Sequence, residues 1–415
     1  RLYVPPVQNF IRKQATAIAS DATGMNISVE RIDLRFPLNL LVRGVQVVQS
    51  EADAADVQHP DTLLNLGSLN VSVQAWPLLQ GRVEVNDITL QQVAVNSSNL
   101  LEGMHIKGTL GRFFLESHGI DLKKEDAILN NVELSNTHMQ VMLADTTETP
   151  KDSTETAVNW RIALHNLKLK NVSVDLQMPL DSMALGANIG DASIEDANVD
   201  LKRQFYGWRR FTLTESAVNY DLGMAAPVEG FDASHIALRD IRIGIDSVMA
   251  CGRDMNAIIR EFSMYDRSGL TVTSLTGRLF ADSTLIRIPY LQLKTPHSDM
   301  DLTAQTYWKL VDIPTTGHLS ARFNANIGKQ DVLLFAGGLP ETFKEAYPFR
   351  PLVIHAGTEG NLKQMQISRF TAELPGAFFL SGGGELWNLT DSLTRNGGLD
   401  FEMQTQDLNF LTGLT

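Results

Sequence analysis

Pairs of apolar residues, with one polar residue between the two members, recur along most of the chain. Ile27 and Val29 are followed, after a gap of two residues, by Ile32 and Leu34, and this unit is repeated many times. Alternation with a period of two is typical of β-strands that have one apolar and one wetted face. The pattern predicts a mainly β chain of about twenty strands.

The clearest repeats identify candidate residues for one apolar face of this sheet. The candidates are Ile27, Val29, Ile32, Leu34, Leu69, Val71, Val73, Val83, Val85, Ile88, Leu90, Leu167, Leu169, Val172, Val174, Ile241, Ile243, Ile245, Ile286 and Ile288. Their polar neighbours are mostly Asn, Asp, Gln, Lys, Ser and Thr, as expected for an opposite, solvent-exposed face.

The gap of two residues inside each unit changes the phase of the alternation. Strict alternation across the gap would place the second apolar pair on the opposite face of the strand. Two arrangements restore a single apolar face: a β-bulge that resets the register, or a tight corner at which the sheet turns. Both arrangements predict a curled and strongly twisted antiparallel sheet.

The first 24 residues have a different period, which predicts an amphipathic helix. Its apolar face consists of Val4, Val7, Ile11 and Ile18, spaced by three, four and seven residues. Gly24 suits the left-handed end of a helix. We expect this helix to cap one end of the apolar face. Continuation of an upstream membrane helix is compatible with that role, and a helix lying on a membrane surface is the third interpretation.

A sheet with one apolar face needs a cover, and the sequence offers few helices to provide it. The sheet either folds on itself as a sandwich or barrel, or curls into a trough that receives something else. We expect a U-shaped trough (a β-taco or bridge-like groove) of one long curled antiparallel sheet over residues 25–415, after the helix of residues 1–24. Two interruptions are expected, a mobile acidic loop at about 145–157 and a helical patch at about 330–347.

The composition narrows the classes of partner. The chain of 415 residues has 35 basic and 48 acidic residues, and the net charge of −13 argues against nucleic acid as a partner. No apolar run reaches about eighteen residues, so these residues alone do not predict a membrane span. Cys251 is the only cysteine, which excludes an internal disulfide. The sequence starts at Arg1 without an initiator Met, and we expect a signal or anchor upstream.

The sequence contains no catalytic signature. GxSxG, HExxH, P-loop and dinucleotide-binding motifs are absent, and the nine histidines are dispersed without metal-ligand spacing. The glycine run that starts at Gly382 has no following lysine or helix, so a bend in a strand explains it better than a phosphate cradle. We therefore expect no enzyme activity, no catalytic residues, no cofactor and no metal.

Several segments carry a family resemblance. They are YVPPVQ (residues 3–8), TG (23–24), ISV (27–29), FPL (36–38), GVQV (44–47), LLQGRVEV (78–85), residues 270–277, TPHS (295–298) and residues 360–386. Together they resemble the AsmA-like and TamB-like proteins (the translocation and assembly module) of diderm bacteria, the last three segments resembling the TamB branch. The resemblance covers most of the chain, as a pattern of strands and turns.

The resemblance implies a periplasmic protein that is anchored in the inner membrane by a preceding helix and reaches toward the outer membrane. Its curled sheet would form a groove that carries phospholipid acyl chains, lined by the candidate residues given above. The family also implies an outer-membrane barrel partner of the TamA type. The alternative function is a scaffold or holdase that works with this barrel in outer-membrane protein assembly or secretion, pairing its strands with unfolded clients.

Overall fold

The computed structural model describes Lys13, Thr16, Ser20 and most of the chain from residue 25 onward. The described ranges are 25–35, 39–48, 62–74, 85–97, 104–121, 124–143 and 159–414. The chain is mainly β, with 70% strand in a mixed sheet. The predicted fold class is confirmed at this level, whereas the curvature of a trough stays a prediction.

The chain divides into two compact units. Arg1–Arg209 and Leu213–Met224 form the first unit, and Arg210–Thr212 and Ala225–Thr415 form the second. The strands that lie wholly or mostly in the first unit are β1 (Asn26–Arg35), β2 (Asn39–Val48), β3 (Thr62–Val73), β4 (Val85–Asn96), β5 (Met104–Asp121), β6 (Asp126–Leu143), β7 (Arg161–Met178), β8 (Met183–Asp200) and β9 (Phe205–Leu222). Neighbours from β1 to β6, and β7 with β8, pair antiparallel in chain order.

β6 and β7 run parallel, so the prediction of a purely antiparallel sheet is wrong at this pair. Asp126 lies opposite Arg161 and Met142 opposite Gln177, in one constant register. Parallel neighbours need a connection of about a dozen residues or more, and residues 144–160, which include the acidic segment, supply that length. Each strand has the same apolar spacing in either direction, so the hydrophobic pattern does not distinguish the two pairings.

A line of residues, most of them glycine or left-handed, crosses β1 to β8 at the two-residue gaps of the apolar pattern. This kink line consists of Glu30, Gly44, Gly67, Gln92, Gly111, Asn136, Asn171 and Gly190. Gln92, Asn136 and Asn171 have φ angles of 55°, 50° and 53°, which are uncommon outside glycine. Glycines face several of these residues, where a side chain would collide with the neighbouring strand.

The kink line has the geometry of a corner rather than of a β-bulge. In a bulge, two residues of one strand face one residue of its neighbour. Across the kink line Val29 pairs with Val45 and Arg31 with Arg43, so each strand contributes one residue and the register is kept. The half-buried positions of β1 change phase at Glu30. The corner therefore returns both apolar pairs of each unit to one face.

The second unit is an antiparallel meander with three short helices. Its strands are β10 (His235–Cys251), β11 (Asp254–Asp266), β12 (Thr271–Val272), β13 (Ser274–Ala281), β14 (Leu285–Lys294), β15 (Asp299–Tyr307), β16 (Leu319–Ile327), β17 (Leu352–Gly360), β18 (Gln364–Leu374), β19 (Phe378–Trp387) and β20 (Asn396–Thr405). Its helices are α1 (Trp308–Asp312), α2 (Lys329–Phe335) and α3 (Glu341–Ala346), with a 3-10 segment at Asn409–Leu414. α2 and α3 fall at the stretch for which a helical patch was predicted.

The second unit has a conventional core where α2, α3 and the 3-10 segment pack on the ends of β17 to β19. Phe343, Tyr347, Leu374 and Phe410 are buried together there. The rings of Phe343, Tyr347 and Phe410 have centroids 5.6 to 5.9 Å apart in tilted or edge-on pairs, the arrangement that aromatic rings prefer. Burial raises the pKa of the Tyr347 hydroxyl.

Several predicted features lie outside the described residues. They are the helix positions Val4, Val7, Ile11 and Ile18, the acidic loop at about 145–157, and Val83. Of the predicted helix, Lys13, Thr16 and Ser20 are described, each with helical backbone. The Ser20 hydroxyl accepts a hydrogen bond from the Ile27 N–H at 3.1 Å, which ties it to the start of β1. The helix itself stays a prediction.

Candidate functional site

Strand pairing in the first unit aligns the apolar residues of β1 to β8 in four transverse strips, two on each side of the kink line. From β1 to β8 these apolar rows are Ile27, Val47, Leu64, Val95, Gly108, Met139, Val174 and Ala187; Val29, Val45, Leu66, Val93, Leu110, Thr137, Val172 and Ile189; Ile32, Val42, Leu69, Leu90, Phe113, Leu134, Leu169 and Ala192; and Leu34, Leu40, Val71, Ile88, Leu115, Val132, Leu167 and Ile194. Cross-strand partners lie side by side on one face. Each row is therefore a continuous strip across eight strands.

Thr137 is the one polar residue in the apolar rows. It is buried, and its hydroxyl donates a hydrogen bond to the carbonyl of Ser135 at 3.2 Å. Most other members are half-buried, and Val174 is 38% exposed. The one polar side chain of the rows is thus hydrogen-bonded, and part of the apolar surface remains exposed to solvent. Such a surface can hold an apolar ligand without leaving a buried polar group unpaired.

The opposite face of the same strands is polar. Gln46, Asn65, Thr109 and His138 lie there and line a cavity of about 490 Å³ together with neighbouring residues. His138 Nδ1 is 2.5 Å from the hydroxyl oxygen of Ser173, its partner on β7. Polar side chains therefore predominate on this face, with apolar exceptions such as Leu41 and Phe114.

A second line of residues without a partner in the strand register crosses β6 to β8 at Asn130, His165 and Asp196. Asp196 is left-handed, with a φ of 51°. Its carboxylate accepts a hydrogen bond from Arg209 Nε at 2.6 Å and lies 2.6 Å from His165 Nδ1. The Arg209 bond first, and the His165 bond second, hold the pKa of Asp196 below its usual value. These groups are exposed, so the network contributes little to the stability of the fold.

The second unit has apolar rows of its own. One row runs from β10 to β20 through Ile245, Ile259, Gly277, Leu291, Leu302, Phe323, Ala356, Phe370, Gly382 and Phe401. A second row, from β13 to β20, is Leu275, Leu293, Met300, Ala325, Ile354, Ala372, Leu380 and Met403. Glycine at Gly277 leaves room for the Leu291 side chain, which a Cβ would approach to 2.7 Å.

Most of the candidates predicted in the first unit lie in the apolar rows. They are Ile27, Val29, Ile32, Leu34, Leu69, Val71, Ile88, Leu90, Leu167, Leu169, Val172 and Val174. Val73 and Val85 pair with each other beyond the rows. The structure therefore brings residues from distant parts of the sequence onto one face, and their contact with a ligand stays a prediction.

The candidate residues in the second unit differ in their place in the sheet and in their exposure. Ile245 belongs to the long row, and Ile286 and Ile288 occupy paired positions on β14. Ile243 pairs with a residue of β11. Ile241 is only 3% exposed, which leaves it little surface for a ligand.

The apolar residues of β5 were missed in the sequence. Leu110, Phe113 and Leu115 lie in three of the rows, beside the chosen residues of β4. Gly108 takes the place of an apolar side chain, because a Cβ there would overlap the Met139 side chain on β6. The signal was present as apolar pairs separated by two residues, but glycine and the run of adjacent apolar residues at 113–115 obscured the alternation.

Comparison with known proteins does not assign this chain to a family. No family model matches the sequence, and no curated protein matches it. Within the described ranges, no helix is long and apolar enough to cross a membrane. In that same part of the chain, no group of three or more His, Cys, Asp or Glu residues is placed to hold a metal ion. The apolar rows are therefore the candidate functional surface.

Proposed function

We propose that the chain is a lipid-transfer segment whose apolar rows carry phospholipid acyl chains. The observation that carries the proposal is the continuity of the rows. The row from Ile32 to Ala192 and the row from Leu34 to Ile194 have an apolar residue on every strand from β1 to β8. An acyl chain needs continuous apolar contact and no chemical step, which is what such a strip supplies.

The length of a row suits an acyl chain. Eight strands are separated by seven spacings of about 4.8 Å, which gives a strip of ~34 Å. The hydrocarbon core of a bilayer is about 30 Å thick, so a single leaflet corresponds to about 15 Å. A row therefore exceeds the length of one lipid tail, and a tail can move along it without leaving apolar surface.

The energy of exposure explains why the track must be unbroken. Transfer of about fifteen methylenes into water costs about 12 kcal/mol, at ~0.8 kcal/mol each. A polar or charged residue within a row would interrupt contact with part of the tail and raise the barrier to movement. The polar head group can stay in water at the border of the face, so no charged pocket is needed.

The cellular setting is part of the same proposal. The resemblance to AsmA-like and TamB-like proteins supports a periplasmic location, an inner-membrane anchor upstream, and movement of lipid between the inner and outer membranes. It also supports an outer-membrane barrel of the TamA type as a partner. Residues 1–24, as an amphipathic helix, would cap the first rows and form the site where lipid is loaded.

Two adjacent residues of β4 provide a matched test. Val93 lies in an apolar row between Leu66 and Leu110, whereas Ala94 is exposed on the polar face. We expect Val93→Lys to reduce phospholipid capture by a photocrosslinking residue at Leu90, and lipid transfer between vesicles, by about tenfold or more. Ala94→Lys should leave both unchanged, because it adds the same charge on the other face.

The test separates the proposal from its alternative. Val93→Thr replaces one methyl group by a hydroxyl at nearly constant volume and should give an intermediate loss. It is the control for misfolding of the lysine variant, and circular dichroism verifies the β content of each. Undiminished lipid capture and transfer in Val93→Lys would contradict the proposal. Capture of client polypeptide in place of phospholipid at Leu90 would favour the scaffold or holdase function instead.

A further inference from the structure

β20 differs from the other strands of the second unit in its exposure. All ten of its residues are exposed, whereas its neighbour β19 is half-buried along its length. Leu399, Phe401 and Met403 alternate along β20 and are 38%, 55% and 53% exposed. Exposed apolar residues at every second position of a strand form a surface that another strand can cover.

The exposure of these side chains has a local cause. Met403 belongs to the row that contains Ala325 and Ala372, both of which are buried. Within the second unit β20 pairs with β19, through Phe401 with Gly382, and among the residues that the structure describes no further strand pairs with its outer edge. A row member beside a single neighbour loses the cover that interior members have on both sides. The outer edge also presents backbone N–H and C=O groups at the spacing of a strand.

The polar face of β20 is acidic. Asp400 and Glu402 alternate with the apolar residues, and among the described residues neither takes part in an ion pair. Their partners on β19 are Gly383 and Ser381, which carry no charge. Opposite charges on directly neighbouring strands stabilise their pairing, and like charges oppose it.

We propose that the free edge of β20 binds an extended segment of another polypeptide, whose side chains alternate between apolar and basic residues. The backbone of the segment would extend the ladder beyond β20. Its apolar side chains would cover Leu399, Phe401 and Met403, and its basic side chains would lie beside Asp400 and Glu402. The proposal concerns a protein partner and does not depend on lipid transfer.

Pairing of β20 with β20 of a second copy is disfavoured by the same charges. An antiparallel pair of identical edges would bring Asp400 and Glu402 of one chain against the same carboxylates of the other. A segment with lysine or arginine at these positions removes that repulsion. The charge pattern therefore selects a basic partner over self-association.

The test uses peptide probes and a charge-reversed chain. A blocked ten-residue peptide of alternating valine and lysine should bind the chain in fluorescence anisotropy and protect the amides of β20 from hydrogen exchange. A valine–glutamate peptide should bind about tenfold more weakly. In the double variant Asp400→Lys with Glu402→Lys, the preference between the two peptides should reverse.

Four outcomes would overturn the proposal. A valine–lysine peptide with a central proline, which cannot continue a ladder, should not bind, and equal binding would show that pairing is not involved. If neither peptide binds, Asp400 and Glu402 only prevent other strands from pairing with the edge of β20. An unreversed preference in the double variant, or self-association of the chain through β20, would also count against it. Lipid capture at Leu90 should be the same in the double variant, which keeps this test separate from that of lipid transfer.

Discussion

Gly190 shows how tightly the corner of the first unit is packed. A Cβ at this position would overlap the carbonyl oxygen of Glu215 and lie 2.7 Å from its Cβ. Gly190→Ala should therefore destabilise the protein by about 1–3 kcal/mol, because backbone of β9 must move to admit the methyl group. The measurement is the urea midpoint of unfolding, followed by circular dichroism.

Gly119 is the matched control on β5. No heavy atom lies within 4 Å of the place where its Cβ would be, and its φ is not left-handed. Gly119→Ala should be neutral or stabilise by about 0.4–1 kcal/mol, since it restricts the unfolded chain without a clash. Equal midpoints for the Gly190 and Gly119 variants would show that the corner tolerates a side chain.

The left-handed residues of the kink line show what a local sequence pattern can and cannot predict. The gap of two residues in each apolar unit predicted that something must reset the alternation. Asn136 and Asn171 are residue types that tolerate a positive φ, and they could have been chosen for this role. Gln92 has a φ of 55° with no such tendency. Its conformation is imposed by pairing with strands that bend at the same place, which a local pattern does not contain.

At the scale of elements, the parallel pairing of β6 and β7 requires a long connection between the two strands. The end of β6 at Leu143 and the start of β7 at Arg161 lie at opposite ends of the paired strands. With a rise of about 3.3 Å per residue, the strands are ~56 Å long, so these ends are at most that far apart and closer where the strands bend at the kink line. The connecting residues 144–160 reach at most about 65 Å when extended, which is enough for the full length.

Deletion of residues 146–154 should therefore prevent this pairing. The remaining connection would reach only about 32 Å, too short to join the two ends even when the strands bend at the kink line. The measurement is disulfide formation between Gln140→Cys and Asp175→Cys, which are direct partners across the pair, with Cys251 replaced by Ser. The bond should form in the intact chain and be lost in the deletion variant.

Replacement of the same nine residues by nine alternating Gly and Ser residues is the control, because it keeps the length and changes the composition. The disulfide should form in this variant. Its formation in the deletion variant would show that β6 and β7 do not need the full connection. Loss in both variants would assign the effect to particular side chains, and would contradict the argument from length.

The elements were predictable to different degrees. Strands with a clean alternation, such as β1 with Ile27 and Val29, were found because one face is apolar throughout. β5 was missed because Gly108 substitutes for an apolar residue in its row. The direction of β7 was not predictable, since a parallel and an antiparallel strand present the same alternation to a neighbour. Pairing and direction depend on distant contacts, and those arise only when the chain is folded.

At the scale of the whole molecule, net charge acts on every encounter with a membrane. The chain has a net charge of −13, which repels surfaces rich in anionic lipid. The apolar rows, in contrast, are uncharged, so the proposed contact with acyl chains should depend little on ionic strength. Approach to a membrane and holding of a tail should therefore respond differently to salt.

Uptake of a fluorescent phospholipid from vesicles tests this separation. At low ionic strength, uptake from vesicles rich in phosphatidylglycerol should be slower than from phosphatidylcholine vesicles, on the order of tenfold. At 1 M salt the Debye length falls to about 3 Å, so the two rates should converge. Val93→Lys should lower uptake from both vesicles, because it alters the row and hardly the net charge. Faster uptake from the anionic vesicles at low salt would show that a local basic surface, and not the net charge, governs the approach to the membrane.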